Sequence, residues 1–228
     1  MKATLLILFF CFTLGFKARA DKEFTSLIEA LRNPELVTSL TLKNSSLTEL
    51  PQEIGRLINL ERLNVSGNSL TNLPSFLFTL TKLKYLNLNA NRLSVLPAEI
   101  GSLHNLEELE FGFNRIKELP KEITLLTKLK RLNAARNSLT ALPTQFGLLK
   151  SLSIIDLSYN QFISLPDPLT MTRQLKAVDI SCNKFLSGFS KNIANLQNLR
   201  LFNIMKTNIG AAQLEQLKQL LPGCTIMI

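Results

Sequence analysis

Glu108 and Glu110 stand two residues apart, the spacing that puts both carboxylates on one face of a strand. A pair of carboxylates is what acid–base hydrolysis of a glycosidic bond requires. That chemistry also needs a pocket that desolvates one of the two, and an open sheet offers none. His104 is the only histidine and has no cysteine or acidic cluster beside it, so neither a metal site nor a His-based dyad can be assembled. With no nucleophile, base and pocket coming together, the sequence predicts neither an enzyme nor a cofactor or metal site. The side chains with something left to do are Tyr85, Glu108, Glu110, Phe113, Arg131, Arg136, Asp156 and Tyr159. The chain has two tyrosines and no tryptophan, so both tyrosines falling in this set is informative. Aromatic and arginine side chains ringed by polar groups are what protein-binding hot spots favour.

These residues are placed by a 23-residue period. Its seed is Leu60-x-x-Leu63-x-Val65-x-x-Asn68-x-Leu70-x-x-Leu73-Pro74, and copies start at Leu83, Leu106, Leu129 and Leu152. A first copy starts at Val37 with Ser45 in place of the asparagine. A seventh starts at Leu175 and lacks the proline, and an eighth starts at Leu199, one residue late. Each L-x-x-L-x-L segment alternates apolar and polar, the mark of a strand with one buried face. Positions one, four, six and eleven point inwards, and the asparagines at position nine are scaffold that satisfies buried backbone. The return half, as in Leu50-Pro51-Gln52-Glu53-Ile54-Gly55-Arg56-Leu57, has room for one tight turn of 3₁₀ or α type. Repeat 7 carries one extra residue, and a bulge or local helix is expected at Ser187-Gly188-Phe189-Ser190.

Positions three, five, seven and eight of each repeat form columns across the concave face. Repeats 3–6 collect the eight residues named above on that face. A stack of rungs needs its open ends covered. Phe24, Leu27, Ile28 and Leu31 at i, i+3, i+4, i+7 predict an N-terminal cap helix over residues 23–33, stopped at Asn33-Pro34. Leu214, Leu217, Leu220 and Leu221 predict a second helix before Pro222-Gly223, followed by a last strand with Cys224 and Ile226. Residues 21–228 are thus one α/β solenoid domain: repeats over 37–210, then a C-terminal cap over 211–228.

Residues 1–20 read as a removed signal peptide: Lys2, an uncharged run from Ala3 to Phe16, and Ala18-Arg19-Ala20. That run is shorter than the roughly 17–25 residues a membrane helix needs, so a secreted or surface product without membrane insertion is expected. Residues 1–20 hold three basic and no acidic residues, leaving 23 basic against 17 acidic, a net +6. The charges are interspersed and lack the basic stripe with stacking aromatics of a nucleic-acid binder. Cys182 and Cys224 lie about two rungs apart, roughly 10 Å, beyond disulfide reach. Two free thiols are expected, Cys224 in the core. Asn44-Ser45-Ser46 and Asn64-Val65-Ser66 are glycosylation triplets that matter only in a eukaryotic source.

The frame Leu96-Pro97-Ala98-Glu99-Ile100-Gly101-Ser102-Leu103-His104-Asn105-Leu106 resembles the secreted leucine-rich-repeat proteins of pathogenic spirochaetes. So do the opening Leu27-Ile28-Glu29-Ala30-Leu31-Arg32-Asn33-Pro34 and the closing Leu217-Lys218-Gln219-Leu220-Leu221-Pro222-Gly223-Cys224. The resemblance implies a curved leucine-rich-repeat solenoid, exported by a bacterium, that binds host receptors or matrix proteins; a monomer is expected. A structural role among other bacterial surface components is the alternative.

Overall fold

The computed structural model describes residues 22–228, so the expected signal peptide lies outside the described residues. The apolar–polar alternation produces strands of two or three residues: β1 (Glu23–Phe24), β2 (Ser39–Thr41), β3 (Arg62–Asn64), β4 (Tyr85–Asn87) and β5 (Glu108–Glu110). They continue as β6 (Arg131–Asn133), β7 (Ile154–Asp156), β8 (Ala177–Asp179), β9 (Leu201–Asn203) and β10 (Thr225–Met227). All pair in parallel in chain order as one sheet among the described residues. The register repeats by 23 through the middle, as in Tyr85↔Glu108 and Glu108↔Arg131. This register keeps equivalent side chains in columns, and it carries the one-residue lag of repeat 8 as Ala177↔Leu201.

Burial follows the repeat. Leu83, Leu86, Leu88 and Leu93, at positions one, four, six and eleven of one rung, are all fully buried and stack on their equivalents above and below. The position-nine asparagines hold the rungs together where no strand does. Asn91 Nδ2 donates to the carbonyls of Val65 (3.1 Å) and Leu88 (3.0 Å), while its Oδ1 accepts the Leu70 N–H at 3.0 Å. Asn68, Asn114, Asn137, Asn160 and Asn183 repeat the pattern. Each thus satisfies backbone that would otherwise be buried unpaired, at about 1–3 kcal/mol per group.

The convex side is made of 3₁₀ turns at Gln52–Arg56, Ser75–Thr79, Ala98–Ser102, Lys121–Leu125, Phe146–Leu148 and Lys191–Asn195. One single-turn helix, α2 (Asp167–Thr170), takes the place of a 3₁₀ turn in repeat 6. Prolines begin many of these turns because their φ is already set and their carbonyls accept the first turn bond, as Pro97 does from Ile100 at 3.1 Å.

Three expectations need correction. The cap helix expected over 23–33 is confined to α1 (Leu27–Ala30). Ser26 Oγ accepts the Glu29 N–H and starts the helix late, leaving Glu23–Phe24 extended to pair with the open edge of β2. Ile28, counted on the apolar face, is 79% exposed. The extra residue of repeat 7 is absorbed before Ser187, not at it. Phe185 is pushed into solvent (72% exposed), fully buried Leu186 takes the inward place, and its carbonyl accepts Asn208 N–H as Leu47 does for Ser69. Lastly, Cys182 and Cys224 are both free thiols, but Cys224 is half-buried at the core's edge rather than within it. At the C-terminal end, α3 (Ala211–Leu220) and β10 cover the last rung.

Candidate protein-binding face

The structure divides the eight candidate residues between a floor and a rim. On the floor, β4, β5 and β6 bring Tyr85, Glu108 and Arg131 into one register row. Tyr85 is half-buried, with the Arg62 guanidinium 4.3 Å from its ring centre. Its Oη accepts from Asn87 Nδ2 at 2.9 Å, and burial, then the Glu110 charge, push its hydroxyl up to about 12. Glu110 Oε2 accepts from Asn87 at 3.0 Å and from Asn89 at 2.6 Å. Burial holds its carboxyl above the usual range, the bond from Asn89 and the charge of Arg131 opposing that shift.

Position five has a backbone role that the sequence reading missed. The next strand leaves the N–H of position seven unused, and the position-five side chain takes it two residues on. Asn64 accepts from Ser66, Asn133 from Ala135, Asp156 from Ser158 and Asp179 from Ser181, at 2.9–3.0 Å. Glu110 is too long for this turn, so Asn89 Oδ1 from the neighbouring rung accepts the Gly112 N–H at 2.6 Å instead. Asp156 therefore holds backbone as well as lining the face. Burial, then the Asp179 charge in the next strand, raise its carboxyl to about 6. The signal was present in the sequence, since asparagine and aspartate recur down this column for the short reach that the turn demands.

The rim is position eight, just past the strand end. Asn44, Gly67, Ala90, Phe113, Arg136, Tyr159, Cys182 and Lys206 all have φ between 53° and 70°. Only glycine adopts this left-handed conformation without strain, and a chain of L-residues there is uncommon. Seven of these eight N–H groups, Lys206 excepted, nevertheless bond the next rung, as Phe113 to Ala135 and Arg136 to Ser158, both 2.9 Å. The left-handed backbone turns these side chains outward. Phe113 is 53% and Tyr159 41% exposed, and the Arg136 guanidinium lies between them, 4.8 Å and 3.8 Å from the ring centres.

So Tyr85, Glu108, Glu110 and Arg131 gather as one polar cluster, and Phe113, Arg136 and Tyr159 as one stack beside it. Arg62, Asn87 and Asn89 complete the floor. Two surface clefts around Gln52, Glu53 and Phe76 border none of these residues. Among the described residues no group of His, Cys, Asp and Glu could hold a metal ion.

The parallel sheet, the asparagine ladder and the convex turns define the class: the chain is a leucine-rich-repeat solenoid. Two leucine-rich-repeat families match it, "Leucine rich repeat" over residues 35–93 and "Leucine-rich repeat region" over residues 76–140. No curated protein matches it by sequence. Among solved structures it is similar to internalin C2 of Listeria monocytogenes, with 24% identity over 86% of this chain and 83% of that one, at a TM-score of 0.72. It is also similar to the plant peptide hormone receptor RGFR1 in complex with RGF2, with 27% identity over 78% of this chain at a TM-score of 0.63. The chain spans 30% of that receptor's length. A leucine-rich-repeat protein of Leptospira interrogans matches at 20% identity over 91% of this chain and all of its own, with a TM-score of 0.37.

Proposed function

We propose that this solenoid is a secreted protein-binding module that captures a host extracellular or cell-surface protein on the face formed by repeats 3–6. The observation that carries the reading is the exposed Phe113–Arg136–Tyr159 stack standing beside the polar floor of Tyr85, Glu108, Glu110 and Arg131. Rings already fixed in place lose little entropy on binding, and polar groups around them set orientation. The plant receptor in complex with RGF2 shows the same scaffold holding a ligand, which supports the reading. Export rests on the signal-like residues 1–20, and no described helix is long and apolar enough to cross a membrane.

The test is capture of host extracellular proteins by the parent chain and by Tyr85→Ala/Phe113→Ala/Tyr159→Ala. Alanine already occupies the column of Phe113 and Tyr159 at Ala90, with φ 54°, and the column of Tyr85 at Ala177, so the fold tolerates it in both. The variant is expected to lose capture while its thermal transition moves by no more than a few degrees. Unchanged affinity would overturn the assignment of this face.

A further inference from the structure

The two edges of the sheet carry charge in opposite ways. On the edge where strands begin, acids and bases alternate and pair from rung to rung: Lys84 with Glu61 at 2.7 Å and Lys130 with Glu107 at 2.6 Å. On the edge where strands end, positions seven to ten of the eight repeats contain no aspartate or glutamate at all. They do contain Lys43, Arg92, Arg115, Arg136, Lys184 and Lys206, all exposed. None of the six forms an ion pair among the described residues. An edge that served only solubility would mix signs, as the opposite edge does.

We propose that this trailing edge binds an acidic, extended protein segment, a partner chemistry that rests on the protein-binding reading above. Charge complementarity names the sign. Arg136 names the group: its guanidinium fork is stacked against two rings and makes no side-chain hydrogen bond or ion pair among the described residues. That fork matches a carboxylate bidentately. The exposed apolar neighbours name the class of polymer. Phe113 and Tyr159 lie along this edge. An extended peptide brings carboxylates and leucine or phenylalanine together on one strand, whereas a sulfated glycan offers these rings few apolar groups. An anionic lipid surface, which also accepts aromatic side chains, is separated from it by the vesicle comparison below. The length follows from the rungs. Arg92 to Lys206 spans five strand spacings, roughly 24 Å, which about seven or eight extended residues cover.

The test uses the full chain and a labelled ten-residue peptide of aspartate and glutamate around a central Leu-Phe pair. Its comparators are the matching Asn/Gln peptide, a heparin oligosaccharide, and vesicles containing phosphatidylserine. The acidic peptide is expected to bind about tenfold or more tightly than the Asn/Gln peptide, with affinity falling as salt rises. Arg115→Gln/Arg136→Gln/Lys184→Gln should weaken it about tenfold, and Lys84→Gln/Lys130→Gln on the opposite edge should leave it unchanged. Equal binding of the two peptides, or unchanged binding by the trailing-edge variant, would overturn the proposal. So would heparin or vesicles binding through these residues more tightly than the acidic peptide. If the trailing-edge variant keeps its host-protein capture while the triple alanine variant loses it, this partner chemistry fails and the binding face of repeats 3–6 stands. If both keep it, the face itself fails.

Discussion

Asp156 shows how one side chain can serve the backbone and the surface at once. Its carboxyl accepts the Ser158 N–H, yet burial and the neighbouring Asp179 raise it from 3.8 to about 6. The folded state therefore holds this proton more tightly than the unfolded one. Relative to a neutral side chain, the carboxyl costs nothing below about pH 4, and the penalty grows as pH rises and is complete above about 6. Asparagine fills the same position at Asn64 and Asn133, where its Oδ1 accepts the same N–H. Asp156→Asn is thus expected to gain about 1–3 kcal/mol at neutral pH and nothing near pH 3.5, read by denaturant unfolding at both. A flat difference between the two pH values would contradict the assignment. At Phe113 the strain of φ 56° and the entropy that glycine loses on folding are both about 1 kcal/mol and oppose each other. Phe113→Gly should therefore shift unfolding by no more than about 1 kcal/mol while partner affinity falls. The sequence placed Phe113, Arg136 and Tyr159 in one column, because the period alone does that. It did not reveal their stacking, which depends on a left-handed turn that only Asn44 and Gly67 in the column announce.

At the scale of the repeat, the ladder and the convex turns set the tolerance for change. Asn137 Oδ1 accepts the Ile116 N–H at 2.9 Å, and its Nδ2 donates to Phe111 and Ala134 at 3.0 and 3.1 Å. Asn137→Ala strands the Ile116 N–H, while the Phe111 and Ala134 carbonyls keep their bonds from Asn114 and Asn160, so a loss of about 1–3 kcal/mol is expected in denaturant unfolding. A loss under about 1 kcal/mol would show that water fills the site. On the convex side, a Cβ on Gly101 would sit 2.8 Å from the Glu122 carbonyl oxygen of the next turn. Backbone cannot move aside as a side chain can, so Gly101→Ala should cost about 1–3 kcal/mol and separate the neighbouring turns. The strands, turns and asparagines were legible because each obeys a fixed period. Irregular elements were not: β1 has two residues, too few for an alternation, and its Phe24 fitted a helical spacing equally well. The insertion in repeat 7 was visible as one residue too many. Its location depended on which of Phe185 and Leu186 wins the core, a packing outcome that sequence spacing does not contain.

For the whole molecule, the repeat accounts for the core and leaves function to what the repeat does not require. Rungs touch only their neighbours, so stability is shared along the stack, and surface columns can vary without breaking it. Two departures stand out on that background: an aromatic–arginine stack over a hydrogen-bonded polar floor, and an edge carrying cations without acids. Both lie on the concave side or its trailing rim, away from the convex turns that expose Leu125, Leu148 and Met171. The central claim is that partners dock on repeats 3–6 of this side. Oxidative side-chain footprinting of the chain with its captured partner tests it most directly. Phe113 and Tyr159 should lose reactivity in the complex while Leu125, Leu148 and Met171 keep theirs; protection of the convex three with Phe113 and Tyr159 still reactive would contradict it.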